Sequence, residues 1–233
     1  MYPNLSDYDV MYHNIIKKDI LALINGLVDS FTGIVLTKPS ILRKTENKVF
    51  QLVYAKQNNI LIPESFIGND NLELSKLKSD NRVIKPISIG KIYTKNKCEL
   101  YQTQRFNSFY EDISYTPIYI QNYINKLFEV RITVIHKSIF AVRIDAGNKL
   151  DWRKSYDTNK YSIIDIPKHV ENDIFNMMKS FELKFGTFDY IVDKYRNWIF
   201  LEINPNGQWL WLESILNLNI SDAIVDYLIK GEK

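Results

Sequence analysis

The sequence predicts an α+β fold with mostly antiparallel strands. Apolar residues recur at helical spacing in separate windows, over 16–31, 46–58 and 168–182. From about residue 82 the period changes to that of strands. Two aromatic and β-branched runs, 185–193 and 198–203, flank the polar segment Lys194-Tyr195-Arg196-Asn197 and so predict a hairpin.

In chain order, Ile16, Ile20, Leu23, Ile24, Leu27, Val28 and Phe31 define an amphipathic helix over 16–31. Ile34-Val35-Leu36 reads as a short strand closed by Lys38-Pro39. A second helix is predicted over 46–58, with Val49, Leu52 and Val53 inward, and a short helical stretch near 71–78 follows Pro63. Residues 83–87, 91–94 and 98–104 read as strands, as do 119–124, 130–134 and 138–144. Residues 145–166 form a polar loop containing Gly147. Val170, Ile174, Met177, Met178 and Phe181 face inward from a helix over 168–182. After the hairpin the chain ends in a helix near 220–230. Two lobes joining near 123–127 fit this order.

Bulk properties exclude several classes. The 233 residues are 45% hydrophobic and 24% charged, an ordinary globular profile. A net charge of +3 from scattered basic residues does not argue for nucleic acid. The one cysteine, Cys98, allows no internal disulfide and suits a reducing compartment, so a cytoplasmic location is expected. The histidines His13, His136 and His169 lack the spacing of a zinc site. No segment is apolar enough to span a bilayer, and no signal peptide opens the chain.

The chemistry concentrates at the hairpin. Glu202 and Asn204 lie two apart on one strand, so their side chains leave the same face. If Asp193 pairs with Trp198, Asp189 falls opposite Glu202, and opposite residues share a face. Asp189, Glu202 and Asn204 then form an oxygen cluster able to hold a hard cation. A solvated hairpin face is the alternative, but the flanking Trp198, Ile199, Phe200, Leu201 and Ile203 favour a buried strand. Lys85, on a strand with apolar neighbours, suits a phosphate or simply protects a sheet edge. Lys48 lies on the helix at 46–58, where solvation is the default. Glu129 and Arg131 share a strand face; they suit a ribose hydroxyl and a phosphate, or an ordinary cross-strand ion pair. Asp151-Trp152-Arg153 puts an arginine fit for bidentate carboxylate or phosphate binding beside a tryptophan in a polar loop.

Taken in order, these residues resemble an ATP-grasp ligase, and most closely the graspetide (microviridin-type) enzymes that mature peptides. The matching stretches are Asn47-Lys48 with Gln51-Leu52 and Ala55, Ile84-Lys85-Pro86, and Ile120-Gln121-Asn122-Tyr123-Ile124. Further matches are Lys126 with Glu129 and Arg131, Asp151-Trp152-Arg153, residues 185–189, and Glu202-Ile203-Asn204-Pro205-Asn206-Gly207-Gln208.

The resemblance implies an ATP-grasp fold, two lobes with mostly antiparallel sheets clasping a nucleotide. It implies a vestigial amino-terminal segment with a helix over 1–38, a small lobe over 39–123 and a carboxyl-terminal lobe with the metal site over 124–233. The family's amino-terminal α/β domain is then missing or reduced to that helix. The implied cofactors are ATP and Mg2+. Asp189, Glu202 and Asn204 would hold the metal. Lys48, Lys85, Gln121, Asn122, Tyr123, Ile124 and Glu129 would meet the nucleotide. Arg131 and Arg153 would be catalytic, and Asp151 and Arg153 would engage the peptide. The implied partner is a precursor peptide, with no nucleic acid and no membrane; a homo-oligomer is left open. The implied reaction activates a side-chain carboxylate as an acyl phosphate and closes an intramolecular ester or amide. A carboxylate–amine ligase adding amino acids, or an inactive nucleotide- or peptide-binding module, is the rival expectation. The family's phosphate-covering loop is glycine-rich, whereas here only Gly90 follows Lys85.

Overall fold

A computed structural model describes residues 10–76, 81–88, 91–93, 98–100, 103–106, 114–147, 150, 152 and 158–231. The chain opens with helices α1 (Val10–Ser30), α2 (Pro39–Thr45) and α3 (Lys48–Gln57). Then come β1 (Ser65–Gly68), α4 (Asn71–Ser75), β2 (Arg82–Lys85), β3 (Lys91–Tyr93), β4 (Cys98–Leu100), β5 (Gln104–Phe106) and β6 (Ile118–Asn122). The second half is β7 (Lys126–Ile135), β8 (Ser138–Asp145), β9 (Lys160–Ile163), α5 (Lys168–Ser180), β10 (Phe185–Asp193), β11 (Trp198–Asn204), α6 (Leu210–Leu216) and α7 (Ile220–Lys230).

Two antiparallel sheets dominate. The smaller runs β1-β6-β2-β5 and the larger β11-β10-β7-β8-β9, while β3 and β4 pair separately. Strand alternation gives each sheet one apolar face. In the larger sheet Val130, Ile132, Phe188, Tyr190, Phe200 and Ile203 pack on Val170, Ile174, Met177, Met178 and Phe181, the inward residues the sequence predicts for α5. Ala55 of α3 and Ile60 join this core, which anchors α3 beside β11. In the smaller sheet Ile84, Phe106 and Ile120 pack with Leu74 of α4. The opposite faces of both sheets carry the polar residues and line one cleft.

The helix starts have local causes. Asn47 caps α3 by accepting from the Phe50 N–H at 3.1 Å. Proline at the start of α2 loses no intrahelical bond there. The Asp29 carboxylate caps the same helix through the Ser40 N–H at 3.1 Å and its hydroxyl at 2.9 Å.

Several expectations are corrected. Residues 34–36 form no strand and instead connect α1 to α2. Strand 98–104 is divided between β4 and β5. The helix α2, the strands β1 and β9 and the helix α6 are additions; β9 lies inside the predicted polar loop. Each is at most seven residues long, too short for a periodic signal. On α3 Leu52 is buried, but Val49 and Val53 are 39% and 49% exposed, and Gln51 is inside instead. On α1 Leu23, Ile24 and Leu27 are exposed, as is Phe31 just after it. Periodicity puts residues on one face, and tertiary contacts decide whether that face is covered. No described helix is long and apolar enough to cross a membrane.

Candidate active site

The β10–β11 hairpin sets the site. Near its turn Val192 pairs with Trp198, one residue off the predicted Asp193–Trp198 pairing. Asp189 nevertheless pairs with Glu202, because the register shifts between Asp189 and Tyr190, which pairs with Phe200. Leu201 is thus the extra residue of a bulge, a device that re-aims side chains beside functional sites. Thr187 pairs with Asn204, so Asp189, Glu202 and Asn204 emerge together on the cleft face.

Across β10, Asp189 also pairs with Arg131 of β7. The guanidinium donates from one nitrogen to both carboxylate oxygens, at 2.9 and 3.1 Å. Both side chains are nearly enclosed, at 5% and 9% exposure. Arg131 thus makes a cross-strand ion pair, the plainer reading of Glu129 and Arg131, but with a partner the sequence reading did not name and in a buried setting. Arg131 also donates to the Gln208 carbonyl at 3.3 Å and lies 5.7 Å from the Trp152 ring. Its Nε is buried with no hydrogen-bond partner among the described residues.

Lys48 spans the cleft from the first turn of α3. Its ammonium is 3.5 Å from a Glu202 oxygen and donates to the Pro86 carbonyl, at the end of β2, at 3.1 Å. Lys85 sits above the Tyr119 ring at 5.9 Å. Burial pushes the Tyr119 phenol above its usual range; a Ser65 hydrogen bond opposes this and the Glu202 charge adds to it.

The segment joining the sheets is held by polar contacts. The Gln121 amide donates to Tyr119 at 2.8 Å and to Ser65 at 3.1 Å. Asn122 donates from its backbone to the Glu64 carbonyl and from its side chain to the Glu64 carboxylate, both at 2.8 Å. The Tyr123 N–H bonds Asn81 O at 2.8 Å. Lys126 and Glu129 form a tight ion pair with little exposure.

These residues line a cleft of about 1120 Å³. Lys48, Lys85, Gln121, Asn122, Tyr123, Ile124, Glu129, Arg131, Asp189, Glu202 and Asn204 all reach it. Asp151 and Arg153 lie outside the described residues; Trp152 between them lines the wall and stacks on Trp211 at 5.3 Å. Glu64 and the carbonyls of Pro86 and Gln208 carried no signal in the sequence, because a backbone acceptor has no residue code and Glu64 only precedes a four-residue strand. Gln51 carried a match but no role.

The donor set fits a hard divalent ion. Two carboxylates and an amide oxygen suit magnesium rather than a soft metal. A carboxylate has about four lone-pair sites, so the Arg131 bonds do not exhaust Asp189. The neighbouring cations Lys48, Lys85 and Arg131 suit a polyanion such as a triphosphate.

Comparison with known proteins gives a family. The model of a RimK-like ATP-grasp domain matches residues 44–228. The alpha-aminoadipate–LysW ligase LysX of Saccharolobus solfataricus is 25% identical, over 95% of this chain and 83% of its own. A RiPP-associated ATP-grasp ligase of Chryseobacterium gregarium, solved with ADP and a leader and core peptide, is 26% identical. It superposes with a TM-score of 0.87 over 97% of this chain and 72% of that one. The macrocyclase MdnC of Microcystis aeruginosa MRC, bound with precursor peptide MdnA, is 28% identical, with a TM-score of 0.85 over 97% and 74%. With the family model spanning most of its length, the chain belongs to the RimK-like ATP-grasp family and is an ATP-grasp ligase.

Proposed function

We propose that this ligase is a graspetide-type macrocyclase. It activates a side-chain carboxylate of a ribosomal precursor peptide with ATP and joins it to a hydroxyl or amine of the same peptide. The observation that carries this is the convergence of Arg131, Asp189, Glu202, Lys48 and Lys85 on one cleft between two sheets. Likeness to two ligases solved with peptides supports a peptide substrate.

Asp189, Glu202 and Asn204 would hold magnesium, which offsets phosphate charge and orients the terminal phosphoryl group when bound. Lys48 and Lys85 hold phosphate oxygens from opposite walls. Glu129 takes the ribose, and the backbone from Asn122 to Ile124 meets the base. Arg131 is fixed by Asp189 and presents its remaining donors to the acyl oxygens. Asp151 and Arg153 orient the peptide. Water must be kept from the activated carboxyl, which it would hydrolyse.

Mass spectrometry of a co-expressed precursor peptide tests this. Each ring removes one water. A gain in mass by an added amino acid would favour the second reading, a carboxylate–amine ligase, which the likeness to LysX supports. ADP release with no change in peptide mass would refute both.

A further inference from the structure

We propose that Gln51 is a positioning residue for the Glu202–Asn204 pair, tying the backbone between them to helix α3. The proposal rests on the reading of Glu202 and Asn204 as metal ligands. Its basis is a two-way clamp. The Gln51 side-chain oxygen accepts from the Ile203 N–H at 2.8 Å, and its nitrogen donates to the Ile203 carbonyl at 2.8 Å. The same nitrogen donates to the Thr45 carbonyl at 2.6 Å. Gln51 is almost fully buried, so its polar atoms are committed to these bonds.

The location explains the need. β11 ends its sheet, so its outer edge has no neighbouring strand among the described residues. In an antiparallel ladder, alternate residues turn their backbone groups to opposite edges. Glu202 and Asn204 pair with Asp189 and Thr187 on the inner edge. Ile203 turns outward, where an unpaired strand would fray or bind water. The Gln51 amide stands in for one residue of a missing strand. Phe200 is satisfied on the same edge by the Leu61 carbonyl at 2.8 Å. Phe200 and Ile203 face one edge although three residues apart, because the Leu201 bulge inserts a residue. The outer clamp therefore fixes the stretch where the register has just shifted, and with it the direction of both oxygen ligands.

Lys48 and Gln51 lie three apart on α3, on one helix face. One turn of helix thus touches the Glu202 carboxylate through Lys48 and the adjoining backbone through Gln51. Moving this turn would move a phosphate-binding lysine and a metal-ligand strand together.

The test compares Gln51→Met, which removes all three side-chain bonds at similar volume, and Gln51→Glu, which keeps an acceptor for the Ile203 N–H and loses the donors. Ile174→Ala serves as a control that loosens the same core without removing a hydrogen bond of β11. Binding of Mn2+ in the presence of ADP, read by electron paramagnetic resonance, and amide hydrogen exchange at Ile203 are measured on the full chain. Gln51→Met should weaken Mn2+ binding by about 10–100-fold, the range typical of residues that orient metal ligands. Gln51→Glu should fall between it and wild type, and both should speed exchange at Ile203. Ile174→Ala should lower thermal stability with Mn2+ affinity kept. Wild-type Mn2+ affinity in Gln51→Met, or equal weakening in Ile174→Ala, overturns the proposal. If Gln51→Met does not fold, Gln51→Glu decides by the same comparison. Glu202→Gln separates the two layers. If it weakens Mn2+ binding while the Gln51 variants do not, positioning alone fails. If it binds Mn2+ like wild type, the metal assignment fails, and positioning with it.

Discussion

Glu202→Gln should separate catalysis from folding, and Asp189→Asn should not. Glu202 is 27% exposed and its Lys48 partner 22%, with the charges 3.5 Å apart. Ion pairs in contact with solvent contribute about 0.2–1 kcal/mol. At about 2–4 °C per kcal/mol for a chain this long, Glu202→Gln should lower Tm by no more than about 4 °C. Asp189 differs, because both its oxygens hold a nearly enclosed Arg131. Breaking such a buried pair from one side costs about 3–5 kcal/mol, hence roughly 6–20 °C. ATP turnover should nevertheless fall by at least about a hundredfold in both, since the loss of a metal ligand removes several kcal/mol of transition-state stabilisation. Differential scanning fluorimetry and coupled ADP release measure the two quantities on the same samples. Wild-type turnover in Glu202→Gln would refute the metal assignment. Equal Tm losses in the two variants would refute the contrast in burial.

Three further outcomes follow from local geometry. A Cβ at Gly207 would lie 2.3 Å from the Thr187 hydroxyl and 2.5 Å from its Cβ, so Gly207→Ala should cost about 1–3 kcal/mol by thermal unfolding and weaken ATP binding as the 205–208 turn shifts. The Tyr190 hydroxyl is buried with no hydrogen-bond partner among the described residues, so Tyr190→Phe should keep or raise Tm. Burial, with the Asp173 charge, pushes that phenol above its ordinary value of 10.0, so wild type should lose stability relative to Tyr190→Phe as pH rises past that value. Asp29 is held below its ordinary 3.8, chiefly by the Ser40 N–H. Its contribution is complete above that value and lost as pH falls through the lower folded one, so the Tm gap between wild type and Asp29→Ala should narrow in acid.

The candidate site was more legible than the fold around it. Asp189, Glu202 and Asn204 follow from a hairpin turn and a two-residue period, and Glu129 with Arg131 from alternation along one strand. Even there the hairpin register was shifted by one at the turn, and the bulge at Leu201 restored the Asp189–Glu202 pair. A bulge depends on what the strand packs against, so no local count reveals it. Val49 and Val53 show the same limit: their period is helical, but α3 turns Gln51 and Ala55 inward.

By itself the sequence determined the longer helices and strands, and which polar side chains share a strand face. Both are set by backbone sterics and fixed periods over a few residues. Only the tertiary structure decided what those polar groups meet: Arg131 on Asp189, Lys48 between Glu202 and Pro86, and Gln51 in place of a missing strand beside Ile203. Gln51 and Ile203 are 152 positions apart in sequence, and their bonds form only after α3 docks on the core of the larger sheet. Such contacts depend on the packing of the whole chain, and residue spacing carries no record of it.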